Sequence, residues 1–238
     1  MSHRIFTQPC YRSLRRAVLF VCMLLAAQGT RAQTVEAGLR ATVNSTWLIN
    51  KNVSDKGSAQ SYAVSIGNSY GIMGGLFLAE FTEITGEIHI NKHLQKYTGT
   101  TSGGIKYESQ NTLHTWEVPI MLRLLSKSLG YFELGAQYSI VKSAEHENDL
   151  PGFEAFNGIT TADWAKANLS PVMGFGTDIK LIDNTLLMTL GLRASTGLFD
   201  MKGTDGLGTD LSDSSLYPKY QRTNSITVGL LFGVSLRM

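Results

Sequence analysis

The chain has little cysteine, a modest share of charge and no long apolar run. Its two cysteines, Cys10 and Cys22, both fall in a segment patterned like a secretory leader. Arg12, Arg15 and Arg16 form a basic start, residues 17–27 a short apolar core, and Thr30-Arg31-Ala32 offers small residues before a cut ahead of Gln33. A chain exported and cut there, leaving residues 33–238 as one domain, keeps no cysteine. Disulfides, a thiolate nucleophile and a Cys-ligated metal are then excluded. Cys22 follows Phe20-Val21 inside the apolar core, where a lipidation signal needs small residues, so lipidation is not expected. The apolar core is shorter than the roughly 20 residues a membrane helix requires. No later stretch supplies such a run, and no helical anchor is expected.

An excess of positive charge is missing too. The leader takes five of the 21 basic residues (Arg4, Arg12, Arg15, Arg16, Arg31) and none of the 19 acidic ones, leaving 16 against 19 and a net of about −3. The basic character of the full chain belongs to the leader, and nucleic acid is not an expected partner.

What is present is alternation. From Ser225 to the end, Ile226, Val228, Leu230, Phe232, Val234, Leu236 and Met238 are bulky and apolar. Between them stand Ser225, Thr227, Gly229, Leu231, Gly233, Ser235 and Arg237, mostly small and uncharged. A period of two held over this length is a strand, and its small polar face suits a crowded interior rather than solvent. Seven further segments read as strands: 34–46, 70–78, 83–91, 115–124, 131–140, 173–181 and 186–195. Of these, only 70–78, with its many glycines, leaves its inner and outer faces open. The connections alternate between long (50–68, 95–112, 142–167, 197–222) and short (79–82, 126–128, 183–184), and a helical turn is expected within 161–167.

The Asp183-Asn184 turn supplies a register check. Pairing Ile182 with Thr185 places Asp178 opposite Thr189 and Gly174 opposite Arg193, so polar faces meet. A one-residue slip would turn one strand's charges outward. The expected architecture is all-β: an eight-stranded antiparallel up-and-down transmembrane β-barrel with short periplasmic turns and four long extracellular loops, in a bacterial outer membrane. Trp47, Tyr70 and Trp116 are expected at the outer rim, and Phe81, Tyr131 and Phe132 at the inner one. Phe232, Leu236 and Met238 are expected to form the C-terminal signal read by the barrel-assembly machinery.

The hairpin from Thr115 to Ile140 carries a resemblance. Trp116-Glu117-Val118-Pro119-Ile120-Met121-Leu122-Arg123, followed by Tyr131-Phe132-Glu133-Leu134-Gly135-Ala136-Gln137, resembles the "LEIPLLLK … YLEAGPQ" pattern of the PorT-like outer-membrane β-barrel family of Bacteroidetes. Thr85-Gly86-Glu87-Ile88 is similar to that family's "QPEL" segment, with the Gln and Pro replaced. The resemblance implies an eight-stranded outer-membrane barrel. Its best-known member is associated with secretion and gliding, a role not transferred here.

Candidate chemistry centres on inward charges: Glu36, Arg40, Glu87, Glu117, Arg123, Glu133, Asp178, Arg193 and Arg237. Face parity puts Arg123 either directly opposite Glu133 or diagonal to it. A barrel of this size is filled by its own side chains, so a mutually paired structural network is expected rather than an ion path. His89 and His93 stand roughly 13 Å apart on a strand at about 3.3 Å per residue, too far to share a metal. Neither metal nor cofactor is expected. His146 reads as a solvated loop residue. The segment 206–211, Gly-Leu-Gly-Thr-Asp-Leu, has the look of a calcium-binding turn in single copy, and is read as a flexible acidic loop. No spacing joins a nucleophile, a base and an orienting acid.

The functional expectation is a non-enzymatic outer-membrane barrel in contact with outer-membrane lipid and lipopolysaccharide. Its long loops would hold an envelope protein partner or a surface ligand. Two alternatives stand beside it: an outer-membrane lipid-processing enzyme, and a soluble lipocalin-like barrel with the same alternation turned inside out.

Overall fold

The computed structural model describes residues 34–238, residue 184 excepted; the expected leader therefore lies outside the described residues, as does Asn184 of the third short turn. Ten strands follow one another: β1 (Val35–Asn50), β2 (Ser61–Ala63), β3 (Gly67–Ala79), β4 (Thr82–Thr100), β5 (Lys106–Leu125), β6 (Gly130–Asn148), β7 (Gly158–Ile159), β8 (Ala167–Ile182), β9 (Leu186–Thr196) and β10 (Thr223–Arg237). β2 and β7 are short flaps paired to the far ends of β4 and β6. The other eight are the staves of a closed antiparallel ring, each paired with its neighbours in sequence and β1 with β10. Closure pairs the edges that an open sheet of this length would expose.

The seam is as regular as any other pairing. It runs from Glu36↔Arg237 to Asn50↔Thr223 without a shift, and Met238 and Val35 exchange backbone hydrogen bonds of 2.8 and 2.9 Å just beyond it. In the β8–β9 hairpin Asp178 lies opposite Thr189 and Gly174 opposite Arg193, as expected. The pairing shifts only between Lys180 and Ile182, which pairs with Leu186 rather than Thr185, and Asp183 takes a positive φ in the turn.

Each stave sorts its residues by parity. Outward stand Leu39 and Val43 on β1, Ile84, Ile88 and Ile90 on β4, Trp116 to Leu124 in alternation on β5, and Ile226 to Leu236 in alternation on β10, all exposed. Ile120, for example, is 60% exposed. Inward stand carboxylates, guanidiniums, amides and hydroxyls, and most are buried. The inverted arrangement of a lipocalin-like barrel is therefore not what the chain adopts. β3, whose faces the sequence left open, turns Ser69 and Met73 in and Tyr70 and Ile72 out. Tyr131 is corrected: it is 5% exposed and lies in the lumen, not on an aromatic rim.

Several staves are longer than the sequence pattern indicated, always at the long-loop end. The segment expected as a loop over 95–112 is mostly strand, leaving only residues 101–105 as its tip. Its residues are polar on both faces because this hairpin extends past the apolar outer band, where period-two contrast has nothing to report. β6 likewise continues to Asn148, and the helical turn expected over 161–167 is a single 3₁₀ turn at Thr161–Asp163.

Candidate functional site

The lumen begins at the short-turn end with a tight ionic layer. Arg237 donates to Glu36 Oε2 through Nε (3.0 Å) and Nη2 (2.8 Å), and Ser235 Oγ donates to the other carboxylate oxygen at 2.7 Å. Arg123, fully buried, donates from Nη2 to Asp178 Oδ1 at 2.9 Å and from Nη1 to Glu83 Oε2 at 3.4 Å. Its guanidinium lies 3.7 Å from the Tyr131 ring centre, a cation–π stack that accounts for the inward tyrosine. Gly191 makes room for it: a Cβ there would sit 2.2 Å from Tyr131 Oη.

One layer up, Arg193 is the hub. It forks onto Glu87 with Nη1 and Nη2 at 2.8 and 3.0 Å and reaches Glu133 Oε1 with Nε at 2.7 Å. Bidentate pairing of this kind gives the strongest charge-assisted geometry available to a carboxylate. Glu87 also holds His89 at 2.7 Å.

The inward charges expected from the sequence lie in the lumen, and their partners are not those that face parity suggested. Arg123 is directly opposite Glu133 along the sheet, yet its ion partners are Glu83 and Asp178, while Glu133 turns to Arg193. Glu83 is Arg123's direct neighbour on β4, whereas Arg123–Asp178 and Arg193–Glu133 each reach past one intervening stave, the latter over Gly174, and Arg193–Glu87 spans the lumen. Arg40 is corrected. It is buried, but among the described residues it forms no ion pair, and its Nε and Nη1 have no protein partner. Glu83 was missed, although it shares Glu87's parity on β4.

Above these layers Glu117 accepts hydrogen bonds from Asn91 (2.8 Å), Thr115 (3.3 Å) and Ser139 (3.3 Å) and pairs with His93 Nε2 at 2.8 Å. His93 Nδ1 is 2.7 Å from Thr46 Oγ1. A hydroxyl, an imidazole and a carboxylate thus stand in line, an order that periodicity could not reveal because the three come from β1, β4 and β5. The cavity beside them holds about 40 Å³, room for a few waters and not for a substrate. Leu48, Leu113, Ala144, Trp164 and Met201 close over it. Across the described lumen six carboxylates (Glu36, Glu83, Glu87, Glu117, Glu133, Asp178) face four guanidiniums. His89 and His93 are each bonded to one of these carboxylates.

The mouth at the long-loop end is folded shut. The segment 206–211, expected to be a flexible acidic loop, is instead packed into the mouth, and this too is a correction: Gly206 and Leu211 are buried, residues 207–210 are half-buried, and Gly203, Thr204 and Asp205 just before it lie inside. Asp205 accepts from Lys56 Nζ at 2.6 Å and from Tyr217 Oη at 2.5 Å, and its Oδ1 caps the backbone N–H groups of Leu207 and Thr209 at 2.8 and 2.9 Å. Its oxygens serve the loop's own turn. Gly203 adopts φ +98° beneath the Trp164 indole, where a Cβ would sit 2.5 Å from the ring. Asn111 donates to Thr204 O at 3.0 Å and binds His146 Nδ1 through Oδ1 at 2.6 Å. His146 is thus on a strand and buried, not solvated in a loop, and burial pulls its imidazole down to about 4 with Asp205 acting weakly the other way. Burial likewise pushes the Tyr107 hydroxyl up to about 12, again beside Asp205.

His89 and His93 both face inward but bind different carboxylates, and no group of three metal-ligating side chains exists among the described residues. No family model matches the chain, and no curated protein is similar to it. Solved structures similar to it include Neisserial surface protein A, 12% identical, covering 89% of this chain and 100% of that one with a TM-score of 0.41. Ail, the attachment invasion locus protein of Yersinia pestis, in complex with the heparin analogue sucrose octasulfate, is 8% identical over 87% of this chain and 100% of its own, with a TM-score of 0.43. The outer membrane protein OprG from Pseudomonas aeruginosa is 12% identical over 87% and 95%, with a TM-score of 0.40.

Proposed function

We propose that this chain is a small integral outer-membrane β-barrel protein without enzymatic activity, whose long-loop end binds a partner protein or surface ligand of the envelope. The observation that carries the membrane reading is the inversion of polarity: an exposed apolar outer face around a lumen of buried, mutually paired charges. In water that arrangement would leave a continuous apolar surface solvated and desolvate the charges instead, the reverse of what favours a soluble fold. The resemblance of the Trp116–Gln137 hairpin to PorT-like barrels supports the same location and family.

Two features support binding over transport or catalysis. The ionic layers and the folded mouth each block the lumen. The aligned Thr46, His93 and Glu117 lie under an apolar lid with space for water only. Beyond the outer band, the β4–β5 hairpin and the end of β6 project as a polar platform, and an open groove lined by Ser58, Ser61, Thr98, Tyr107, Glu108 and Asp149 runs beside its tip.

Removing residues 97–108 from the hairpin tests the reading. The shortened barrel is expected to insert and to migrate heat-modifiably in detergent gels while losing the partner captured from native outer membranes. A wild-type protein that is soluble and monomeric without detergent would overturn the membrane reading. Partner capture lost only in lumen-charge variants would overturn the assignment of binding to the platform.

A further inference from the structure

Charge on the barrel's outer surface is unevenly placed. Moving along the outward parity past the apolar band toward the long loops, the first charged residue on four of the eight staves is Lys51 beyond Ile49, Lys92 beyond Ile90, Lys142 beyond Ile140 and Arg222 beyond Ile226, whereas on β5, β8 and β9 it is the more distant Glu108, Asp163 and Asp200. All four are exposed, and each is a cation. At the short-turn end the same walk meets Glu80 beyond Leu78 and Asp183 beyond Leu181. A partial collar of cations thus borders the apolar band on the long-loop side, at β1, β4, β6 and β10. Lys142 Nζ lies 5.4 Å from the ring centre of Trp116, the outward aromatic at the band's edge, which ties the collar to that boundary.

Two collar members meet at the seam. The β1–β10 register ends at Ile49↔Asn224 and Asn50↔Thr223, and Lys51, which opens the helical turn Lys51–Ser54, and Arg222 are the next residues on the two chains. Together with Ile49, Ser54, Tyr220, Gln221 and Asn224 they line a groove of about 420 Å³ that contains no carboxylate among its lining residues. Its floor is apolar and its upper wall cationic. The nearby Asp200 is already engaged by the Tyr220 hydroxyl and by the backbone N–H groups of Lys202 and Thr223 at 2.9 Å each. Arg222 spends Nη2 on Leu198 O at 2.6 Å, which fixes its direction and leaves its other donors available.

We propose that the Lys51–Arg222 groove binds the phosphate group of an anionic lipid headgroup in the leaflet on the long-loop side. This rests on the membrane reading above. The chemistry is charge complementarity at a boundary: the apolar floor accepts the start of an acyl chain while a guanidinium fork and an ammonium meet phosphate oxygens. Lysine stems along the apolar band keep their ammonium groups at headgroup level.

The test uses the full barrel in a neutral detergent, with diphosphorylated lipid A and its dephosphorylated form as probes and bound lipid read by native mass spectrometry. The phosphorylated probe is expected to bind in preference, and Lys51→Gln and Arg222→Gln each to weaken it by about tenfold, the worth of one charge-assisted hydrogen bond. Lys127→Gln at the opposite end is expected to change nothing. Equal binding of the two probes, or unchanged binding in both single variants, would overturn the site. Competition by inorganic phosphate at comparable concentration would overturn the lipid as its source. Heat-modifiable migration of each variant separates loss of the site from loss of the barrel: folded variants without binding support the proposal, and a wild type that is soluble without detergent removes its basis.

Discussion

At the residue scale the lumen is governed by pairing. Arg123 satisfies Asp178 and Glu83 at once, and neither carboxylate has a second guanidinium within hydrogen-bond distance. Arg123→Met is therefore expected to strand the buried Glu83 and to leave Asp178 only the longer contact with Arg237 at 3.7 Å, at a cost of about 3–5 kcal/mol, the usual consequence of breaking a buried pair from one side. The check is urea-induced unfolding of the detergent-refolded barrel; a variant as stable as wild type would show that water, not Arg123, balances those carboxylates. His146 makes a different prediction. Its folded-state value of about 4 lies below the ~6.5 of an unfolded imidazole, so the unfolded mouth binds a proton that the folded mouth refuses. The stabilisation is complete above pH 6.5 and is lost as pH falls toward 4, on the order of 3 kcal/mol in all. Amide protection in residues 200–211, with exchange corrected for its intrinsic pH dependence, should fall as pH drops across that window, and that fall should disappear in His146→Gln. The sequence showed the parity of nearly every lumen charge, because a period of two carries that information. It could not show who pairs with whom: Glu133 faces Arg123 along the sheet yet binds Arg193 two staves away, over the missing side chain of Gly174.

At the element scale, strands were legible where the two faces meet different surroundings and illegible where they do not. β10 was read nearly residue by residue, and its observed pattern turns Ile226 to Leu236 out in alternation. The far halves of β4, β5 and β6 were read as loops because polar residues occupy both their faces. The mouth segment was misread for a related reason. Asp205 and Gly206 are loop residues by composition, and only the packing of Lys56, Tyr217 and Gln60 around them makes them interior. The closing strand carries the element-scale prediction. Met238 and Val35 exchange backbone hydrogen bonds, and Arg237 binds Glu36, so residues 236–238 hold the seam as well as the expected assembly signal. Deleting them is expected to prevent insertion, read as loss of heat-modifiable protein from outer-membrane fractions. Normal insertion without them would place the barrel's closure elsewhere.

For the whole molecule, eight staves, an apolar outer band and a charged lumen are one device. A closed ring satisfies every internal backbone group where neither water nor a partner can, and it confines charge to the one place shielded from lipid. The ionic layers below and the folded mouth above make the molecule a plugged cylinder. The three tryptophans report on this directly, because Trp116 is exposed on the outward face while Trp164 is buried in the mouth. Variants retaining a single tryptophan, either Trp116 or Trp164, reconstituted in vesicles of brominated phospholipid, measure whether the outer face touches acyl chains. The fluorescence of Trp116 is expected to be strongly quenched and that of Trp164 left nearly unchanged; equal emission from the two, with no quenching of Trp116, would contradict a bilayer-spanning barrel.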